Sequence, residues 1–342
     1  MNIAINGFGR IGRAVFKALL ERPGVRVVAI NDLTDTKTLA HLLKYDSVYQ
    51  NYWRSVKESG NAIVIDGKSF PVFAEKDPNA LPWKKLNVDV VIESTGRFTD
   101  PADASAHIKA GAKKVILSAP AKSSSAKATE DKVKTIVLGV NEDKVKKNDK
   151  IISMASCTTN CLAPVTDIIR RNFGIENAVM TTIHSYTADQ NLVDGPHKDL
   201  RRARAAALSI IPTTTGAAIA TTEAIPEIKG RFDGLSVRVP TPVGSLCDAV
   251  YVLKKKTTAE KVNKVLSVAS RTSRLRGILS VTSDPIVSAD IVGNSASAIV
   301  DLPLTAVIGG NLLKVISWYD NEWGYSNRLA DLCVYLKKKK LV

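Results

Sequence analysis

The 342-residue sequence predicts an α/β fold in two parts: a doubly wound parallel sheet, then an α+β half with a mixed, mostly antiparallel sheet. Three observations carry that reading. Short Val/Ile-rich runs alternate with helical patterns through the first half. A glycine-rich turn joins the first such run to the first helix. Beyond a helix starting near Cys157, strand-like runs follow one another with fewer helices between them. At roughly 150 residues per domain, the length also suggests two domains.

The runs Asn2–Asn6, Val25–Asn31, Asp89–Glu93, Lys114–Leu117 and Thr135–Val140 read as strands buried on both faces. Between the first two, Ile11, Ala14, Val15, Ala18 and Leu19 recur at helical spacing, and Pro23-Gly24 stops that helix. Pro101 to Ala110, closed by Gly111, reads as another helix. The small, polar stretch Ser123–Lys134 reads as an exposed loop. The helix near Cys157 puts Leu162, Val165, Ile168 and Ile169 on one face and has Gly174 past its end. Strand-like runs follow at Val179–Ile183, Leu235–Val239, Ala249–Leu253, Ala298–Leu302 and Leu312–Trp318, with a helix over Thr258–Ser270. A last helix near Ser326–Leu336 ends in Lys337–Lys340, cations where a helix C-terminus favours them.

Composition narrows the function classes. With 45% hydrophobic and 24% charged residues, wholesale disorder is excluded. No apolar run reaches the roughly 18 residues of a membrane-spanning helix. Met1–Asn6 runs straight into the glycine-rich turn without the pattern of a secretory signal, and four irregularly spaced cysteines do not form a disulfide framework. A reducing, cytoplasmic setting is therefore expected. Lys plus Arg (48) exceeds Asp plus Glu (33), a net charge of +15 that attracts phosphorylated metabolites, nucleotides or nucleic acid. The same surplus fits solvated faces with no ligand.

Gly7-Phe8-Gly9-Arg10-Ile11-Gly12 follows one expected strand and opens one expected helix. Glycines there permit a tight turn, close approach of a pyrophosphate and close helix–strand packing, while the helix N-terminus offers free N–H groups. Asp32 ends the second strand about 20 residues past the last glycine, where a carboxylate accepts ribose hydroxyls and repels a 2′-phosphate. This is a Rossmann-type dinucleotide site, with NAD favoured over NADP.

Ser156-Cys157-Thr158-Thr159-Asn160-Cys161 lies at a helix start, a position that lowers a thiol's pKa below its usual value of roughly 8.5. The competing reading is that Cys157 and Cys161 are small buried hydrophobes. A metal pair would need further ligands nearby, and no metal is expected. His184 follows the run Val179–Ile183 and makes a candidate thiolate–imidazolium pair with Cys157, or else a structural histidine. Thr213–Gly216 is a polar cluster of small residues. Arg201, Arg202, Arg204 and Arg238 are each surface charges or phosphate partners.

Along essentially its whole length the chain resembles the phosphorylating glyceraldehyde-3-phosphate dehydrogenases. The resemblance rests on Ile5–Arg13, Asn31–Asp35, Leu42–Ser47, Glu93–Gly96, Ser156–Cys161, His184–Gln190, Pro212–Ala217, Arg238–Pro242 and Trp318–Glu322, in that order and spacing. It implies NAD-dependent oxidation of D-glyceraldehyde 3-phosphate to 1,3-bisphosphoglycerate, in glycolysis or gluconeogenesis. Cys157 then adds to the aldehyde, His184 handles the proton, and inorganic phosphate attacks the resulting thioester. By the same resemblance, Thr187 and Arg238 hold the substrate's phosphate. Ser156, Thr158, Thr215 and Gly216 hold the attacking phosphate, with Arg202 adding charge.

For the cofactor, the resemblance places Gly7, Gly9, Arg10, Ile11 and Gly12 at the pyrophosphate and Asp32 at the ribose. Lys76 stands beside the adenine, where many relatives have Arg. Thr95 and Ser118 lie near the nicotinamide half, and Asn321 fixes the carboxamide. The implied domains are 1–156, joined by a returning helix of about 321–342, and 157–320; similar enzymes are homotetramers. Trp323 replaces a Thr or Phe common in relatives and reads as packing, and the 123–134 loop is longer than usual.

Two alternatives remain. A related erythrose-4-phosphate dehydrogenase would share the Cys and His without a phosphate acceptor, but Tyr186-Thr187 and Thr215-Gly216 argue for two anion sites. A nucleic-acid-binding protein would use the +15 charge and Lys337–Lys340, yet no recognition module is present and aromatics are only 6%. Neither specific nucleic acid nor a membrane is an expected partner.

Overall fold

The structure, a computed structural model, describes residues 1–122 and 133–342. Of the expected 123–134 loop, residues 123–132 lie outside the described residues. The chain divides into two compact units. One comprises Met1–Ile136, Asp143–Ala155 and Ser326–Val342, and the other Val137–Glu142 and Ser156–Tyr325.

In the first unit the chain forms β1 (Asn2–Asn6), α1 (Arg10–Leu20), β2 (Arg26–Asn31), α2 (Thr36–Lys44), β3 (Val56–Glu58), β4 (Ala62–Ile65) and β5 (Lys68–Phe73). It continues with β6 (Val90–Glu93), α3 (Pro101–Lys109), β7 (Lys114–Leu117), β8 (Lys134–Thr135) and β9 (Ile151–Ser153). The sheet order is β3-β4-β5-β2-β1-β6-β7-β9-β8. From β5 to β8 every pair is parallel, and only β3–β4 and β4–β5 are antiparallel. The chain winds outward from β1 in both directions, so a ligand-binding crevice belongs at the carboxyl ends of β1, β2 and β6. Ile3, Ile5, Val91, Ile92, Val115 and Ile116 have no exposure, which is why these strands read as continuous apolar runs.

Several elements were absent from the sequence reading. Asp35 caps α2 by accepting the Thr38 N–H. The β4–β5 hairpin turns through Asp66-Gly67, both at positive φ, the Asp-Gly signature of a two-residue turn. The expected strand Thr135–Val140 is a correction: only Lys134–Thr135 is extended. Asn141 Oδ1 takes the Val137 N–H, Val140 and Asn141 both donate to the Val137 carbonyl, and Gly139 sits at φ +84. A side-chain amide thus competes for the backbone, and a buried apolar run becomes a turn. Lys134, expected in the loop, opens β8.

The second unit contains α4 (Cys157–Phe173), β10 (Ile175–Ser185), β11 (Ile211–Thr214), α5 (Ala217–Ala224), β12 (Phe232–Val239) and β13 (Ser245–Leu253). Then come α6 (Ala259–Ser270), β14 (Leu279–Thr282), β15 (Ala298–Asp301), β16 (Ala306–Ile308) and β17 (Leu312–Tyr319), and α7 (Trp323–Lys338) follows. The sheet runs β11-β12-β10-β13-β17-β15-β14, with β16 beside β17; only β10–β12 and β14–β15 are parallel. Helix α4 lies against β13, β15 and β17 and ends at Gly174 in a left-handed conformation. Thr258 caps α6 by accepting the Lys261 N–H. Among the described residues no helix is long and apolar enough to cross a membrane.

Candidate active site

In the first unit the glycine-rich turn sits at the carboxyl end of β1. Gly7 is at φ +92, and a Cβ there would lie 2.7 Å from the Thr95 nitrogen; one on Gly12 would lie 2.0 Å from the Gly7 carbonyl oxygen. These two glycines permit close backbone packing. Gly9 differs, because a Cβ there would meet nothing within 4 Å. Its missing side chain leaves open space in front of α1, whose first turn holds no acidic residue. That is a cradle for an anion at a helix N-terminus, and it fits the pyrophosphate of a dinucleotide.

Asp32 is fixed beside this cradle. Its Oδ2 accepts the Phe8 N–H at 2.7 Å and its Oδ1 the Thr34 N–H at 2.9 Å, leaving further lone pairs for ribose hydroxyls. The Arg10 side chain turns to Asp46, with its Nη1 2.8 Å from the Asp46 Oδ2. Thr95 follows β6, and its N–H and hydroxyl both donate to Glu93. Ser118 follows β7 and donates its N–H to the Glu93 carbonyl. Lys76 is exposed, one residue past Glu75, whose N–H and carbonyl are both held by the Asn31 side chain.

Just before α4 the chain passes through Ala155 at φ +55, a costly conformation for a residue with a Cβ. Ser156 caps the helix by accepting the Thr159 N–H, and Cys157 is its first residue. On the sheet, His184 of β10 and Arg238 of β12 are register partners and project to the same side. The His184 Nε2 lies 3.5 Å from the Cys157 Sγ. Tyr319 of β17 lies beneath: its hydroxyl bonds the Thr158 Oγ1 at 2.9 Å and the Thr182 Oγ1 at 2.8 Å, and its ring meets His184 edge-on at 6.0 Å. Both hydroxyls belong to segments that carry the reacting pair, so Tyr319 fixes their separation.

The Nδ1 of His184 lies 2.7 Å from the Ser185 carbonyl and 2.5 Å from the Arg238 Nη1, which also donates to that carbonyl at 3.0 Å. With the proton on Nδ1, Ser185 is satisfied and Nε2 is a base facing the sulfur. With the proton on Nε2, Arg238 is accepted and Nε2–H donates to the sulfur. Burial pushes the Cys157 thiol up to about 11, against Arg238 and hydrogen bonds from Thr158. Burial and then Arg238 push His184 down to about 3. The expectation of a thiol lowered by its helix position is therefore corrected. Burial is the largest influence on both groups and favours the neutral form of each.

The expected anion donors form a second group. Thr187 Oγ1 donates to the Asp189 carboxylate, which also accepts from Arg202 Nη1 at 2.8 Å. Arg202 further donates to Thr213 Oγ1 at 2.9 Å and the Thr214 carbonyl at 3.3 Å. Burial pushes Asp189 up, but the Thr187 bond and the charges of Arg202 and Arg238 outweigh it and hold this carboxyl below its usual range. Gly216 caps α5, and Thr215 Oγ1 accepts the Ala217 N–H. Thr158 is buried, with its hydroxyl bonded to the Tyr319 hydroxyl. Asn321 presents Oδ1 to the Gly244 N–H at 3.1 Å and the Ser245 hydroxyl at 2.9 Å, which fixes the orientation of its amide.

Asp189 and Tyr319 were quoted within the sequence motifs without a role. Asp189 was legible as an acid two residues from Thr187, whereas Tyr319 needed the register of β13 with β17. Among the described residues no cluster of His, Cys, Asp and Glu could hold a metal ion.

Comparison with known proteins shows the family. Residues 1–101 match the family model for the glyceraldehyde 3-phosphate dehydrogenase NAD binding domain, and residues 156–321 match that for the C-terminal domain. The chain is 56% identical to glyceraldehyde-3-phosphate dehydrogenase of Borreliella burgdorferi, over 99% of this chain and all of that one. It is 54% identical to the Geobacillus stearothermophilus enzyme, over 100% of this chain and 99% of that one. Identity to glyceraldehyde-3-phosphate dehydrogenase 1 of Bacillus subtilis is 53%, with the same coverage.

Proposed function

The chain belongs to the glyceraldehyde-3-phosphate dehydrogenase family, and from that premise we propose that it oxidises glyceraldehyde 3-phosphate with NAD and transfers the acyl group through Cys157 to inorganic phosphate. The product is 1,3-bisphosphoglycerate. The observation that carries this reading is the 3.5 Å approach of the His184 Nε2 to a thiol on the first residue of a 17-residue helix.

Cys157 Sγ bonds to the aldehyde carbon while its proton passes by way of Nε2 to the carbonyl oxygen, giving a hemithioacetal. Nε2 then takes the hydroxyl proton as the carbon loses two electrons with its hydrogen. Bound NAD supplies the two-electron acceptor for that oxidation. A phosphate oxygen attacks the thioester carbon, the C–S bond breaks, and the sulfur recovers a proton from His184.

Two anions must meet at one carbon, and fixed cationic donors offset their repulsion. Arg238 suits the substrate's phosphate, since its buried Nε has no protein partner and Thr187 already serves an anion, the Asp189 carboxylate. Ser156, Thr158, Thr215 and Gly216, at the starts of α4 and α5, suit the attacking phosphate.

The proposal extends to a homotetramer. Val179 (60% exposed) and Leu235 (45%) stand on adjacent strands, and Leu208 and Ile210 are also open, apolar surface that a second copy would cover. All four cysteines are free, which suits the reducing cytoplasm.

The test is to mix protein, NAD and glyceraldehyde 3-phosphate without phosphate, quench in acid and map the peptides. Acyl mass on Cys157 is expected. An unmodified Cys157, or acyl mass on another cysteine, would overturn the proposal.

A further inference from the structure

Glu93 and His107 are fully buried titratable groups of the first unit that the chemistry above does not use. They stand in one polar network at the carboxyl end of the parallel sheet. Glu93 Oε1 accepts the Thr95 N–H at 2.8 Å and the Thr95 hydroxyl at 2.5 Å. Its Oε2 accepts from Asn6 Nδ2 at 2.5 Å and faces His107 Nε2 at 3.0 Å. The His107 tautomer is set from behind: Trp83 Nε1–H donates to His107 Nδ1 at 3.0 Å, so the ring proton is on Nε2 and points at Glu93. All four groups around Glu93 are donors. Only a carboxylate can accept at both ends, because an amide would set its NH2 against a donor on one side.

The network reaches three loops around the crevice. Thr95 is held to Glu93, and Ser94 Oγ donates to the Gly7 carbonyl at 2.7 Å, so the turn after β6 is tied to the turn after β1. Asn6 Oδ1 accepts from Asn31 at 2.7 Å, and Asn31 in turn holds both backbone groups of Glu75, after β5. The absence of a side chain at Gly7 allows the Thr95 turn to sit against it.

We propose that Glu93, oriented by His107 and Trp83, is a positioning residue for the dinucleotide: it fixes the loops after β1, β5 and β6 in the spacing that NAD requires before NAD arrives. This rests on the reading of the crevice as the NAD site. A site preorganised by a buried carboxylate saves the ligand the cost of ordering those loops, so loosening the carboxylate weakens binding without removing any ligand contact.

The experiment is calorimetric titration of NAD into the full-length protein, well below its melting temperature, for wild type, Glu93→Gln, His107→Gln and Asp32→Ala. Glu93→Gln is expected to weaken NAD by roughly tenfold or more and His107→Gln by several-fold. The rate of Cys157 alkylation by iodoacetamide without NAD should stay unchanged, because Cys157 belongs to the other unit. If Glu93→Gln does not fold, His107→Gln carries the test. NAD affinity within twofold of wild type in a folded variant overturns the proposal, even where its melting temperature falls, since that is the signature of a structural role alone. Asp32→Ala separates the two claims: loss there beside intact binding in Glu93→Gln overturns only the positioning role. Wild-type binding in Asp32→Ala overturns the crevice reading.

Discussion

Arg238 and His184 are register partners on parallel strands, and the guanidinium Nη1 lies 2.5 Å from the imidazole Nδ1. A permanent cation therefore stands behind the group that must accept a proton from Cys157. It disfavours the imidazolium, and after burial it is the next cause of the low His184 pKa.

Removing that cation should raise the basicity of His184. A base works when deprotonated, so the acid limb of activity follows its pKa and should move to higher pH in Arg238→Ala, from about 3 toward the ordinary histidine range. The check is kcat/KM against pH on unphosphorylated glyceraldehyde, which makes no use of the substrate-phosphate site. An acid limb that stays in place or moves to lower pH would contradict the electrostatic role.

The same variant should separate substrates. A desolvated, charge-assisted contact contributes roughly 1.5–3 kcal/mol, so Arg238→Ala should lose on the order of 10- to 100-fold on glyceraldehyde 3-phosphate beyond any loss on glyceraldehyde. Equal losses on both aldehydes in a normally stable protein would remove Arg238 from the substrate-phosphate site.

Thr215 has two roles to distinguish. Just before α5 its hydroxyl accepts the Ala217 N–H, and losing such a hydrogen bond costs about 0.5–1.5 kcal/mol. Thr215→Ala should lower the melting temperature and raise the phosphate concentration needed for turnover, while Thr215→Ser should restore both. If Thr215→Ala changes stability alone, Thr215 serves only to hold the Ala217 N–H.

Asp32→Ala should weaken NAD and shift preference toward NADP, because a ribose acceptor and a charge that repels the 2′-phosphate are both lost. Both cofactors should lose some affinity, since Asp32 also anchors the Phe8 and Thr34 N–H groups. Steady-state KM values for the two cofactors give the ratio, and an unchanged ratio would place the selectivity elsewhere.

The parts of this protein legible in its sequence are those whose physics is local or repetitive. Strands buried on both faces write themselves as Val/Ile runs, and Gly7, Gly9 and Gly12 mark the cradle because no other residue fits the packing at two of those positions. Cys157 at a helix start and His184 in a strand were likewise readable. The β3–β5 hairpins were missed because half-buried strands alternate with polar residues, although Asp66-Gly67 announced one turn. Asn141 turned an apolar run away from the sheet, an effect no hydrophobic pattern contains. The direction in which the Cys157 and His184 pKa values move could not be read at all, because burial and Arg238 act across strands distant in sequence.

The central claim is an acyl group held on Cys157 until phosphate removes it, and NADH formation followed at 340 nm with glyceraldehyde 3-phosphate and NAD tests it most directly. With phosphate present, absorbance should rise continuously. With phosphate omitted, it should stop after a burst of about one NADH per chain and resume when phosphate is added. Sustained turnover without phosphate, or no burst in a protein that binds NAD, would contradict the account.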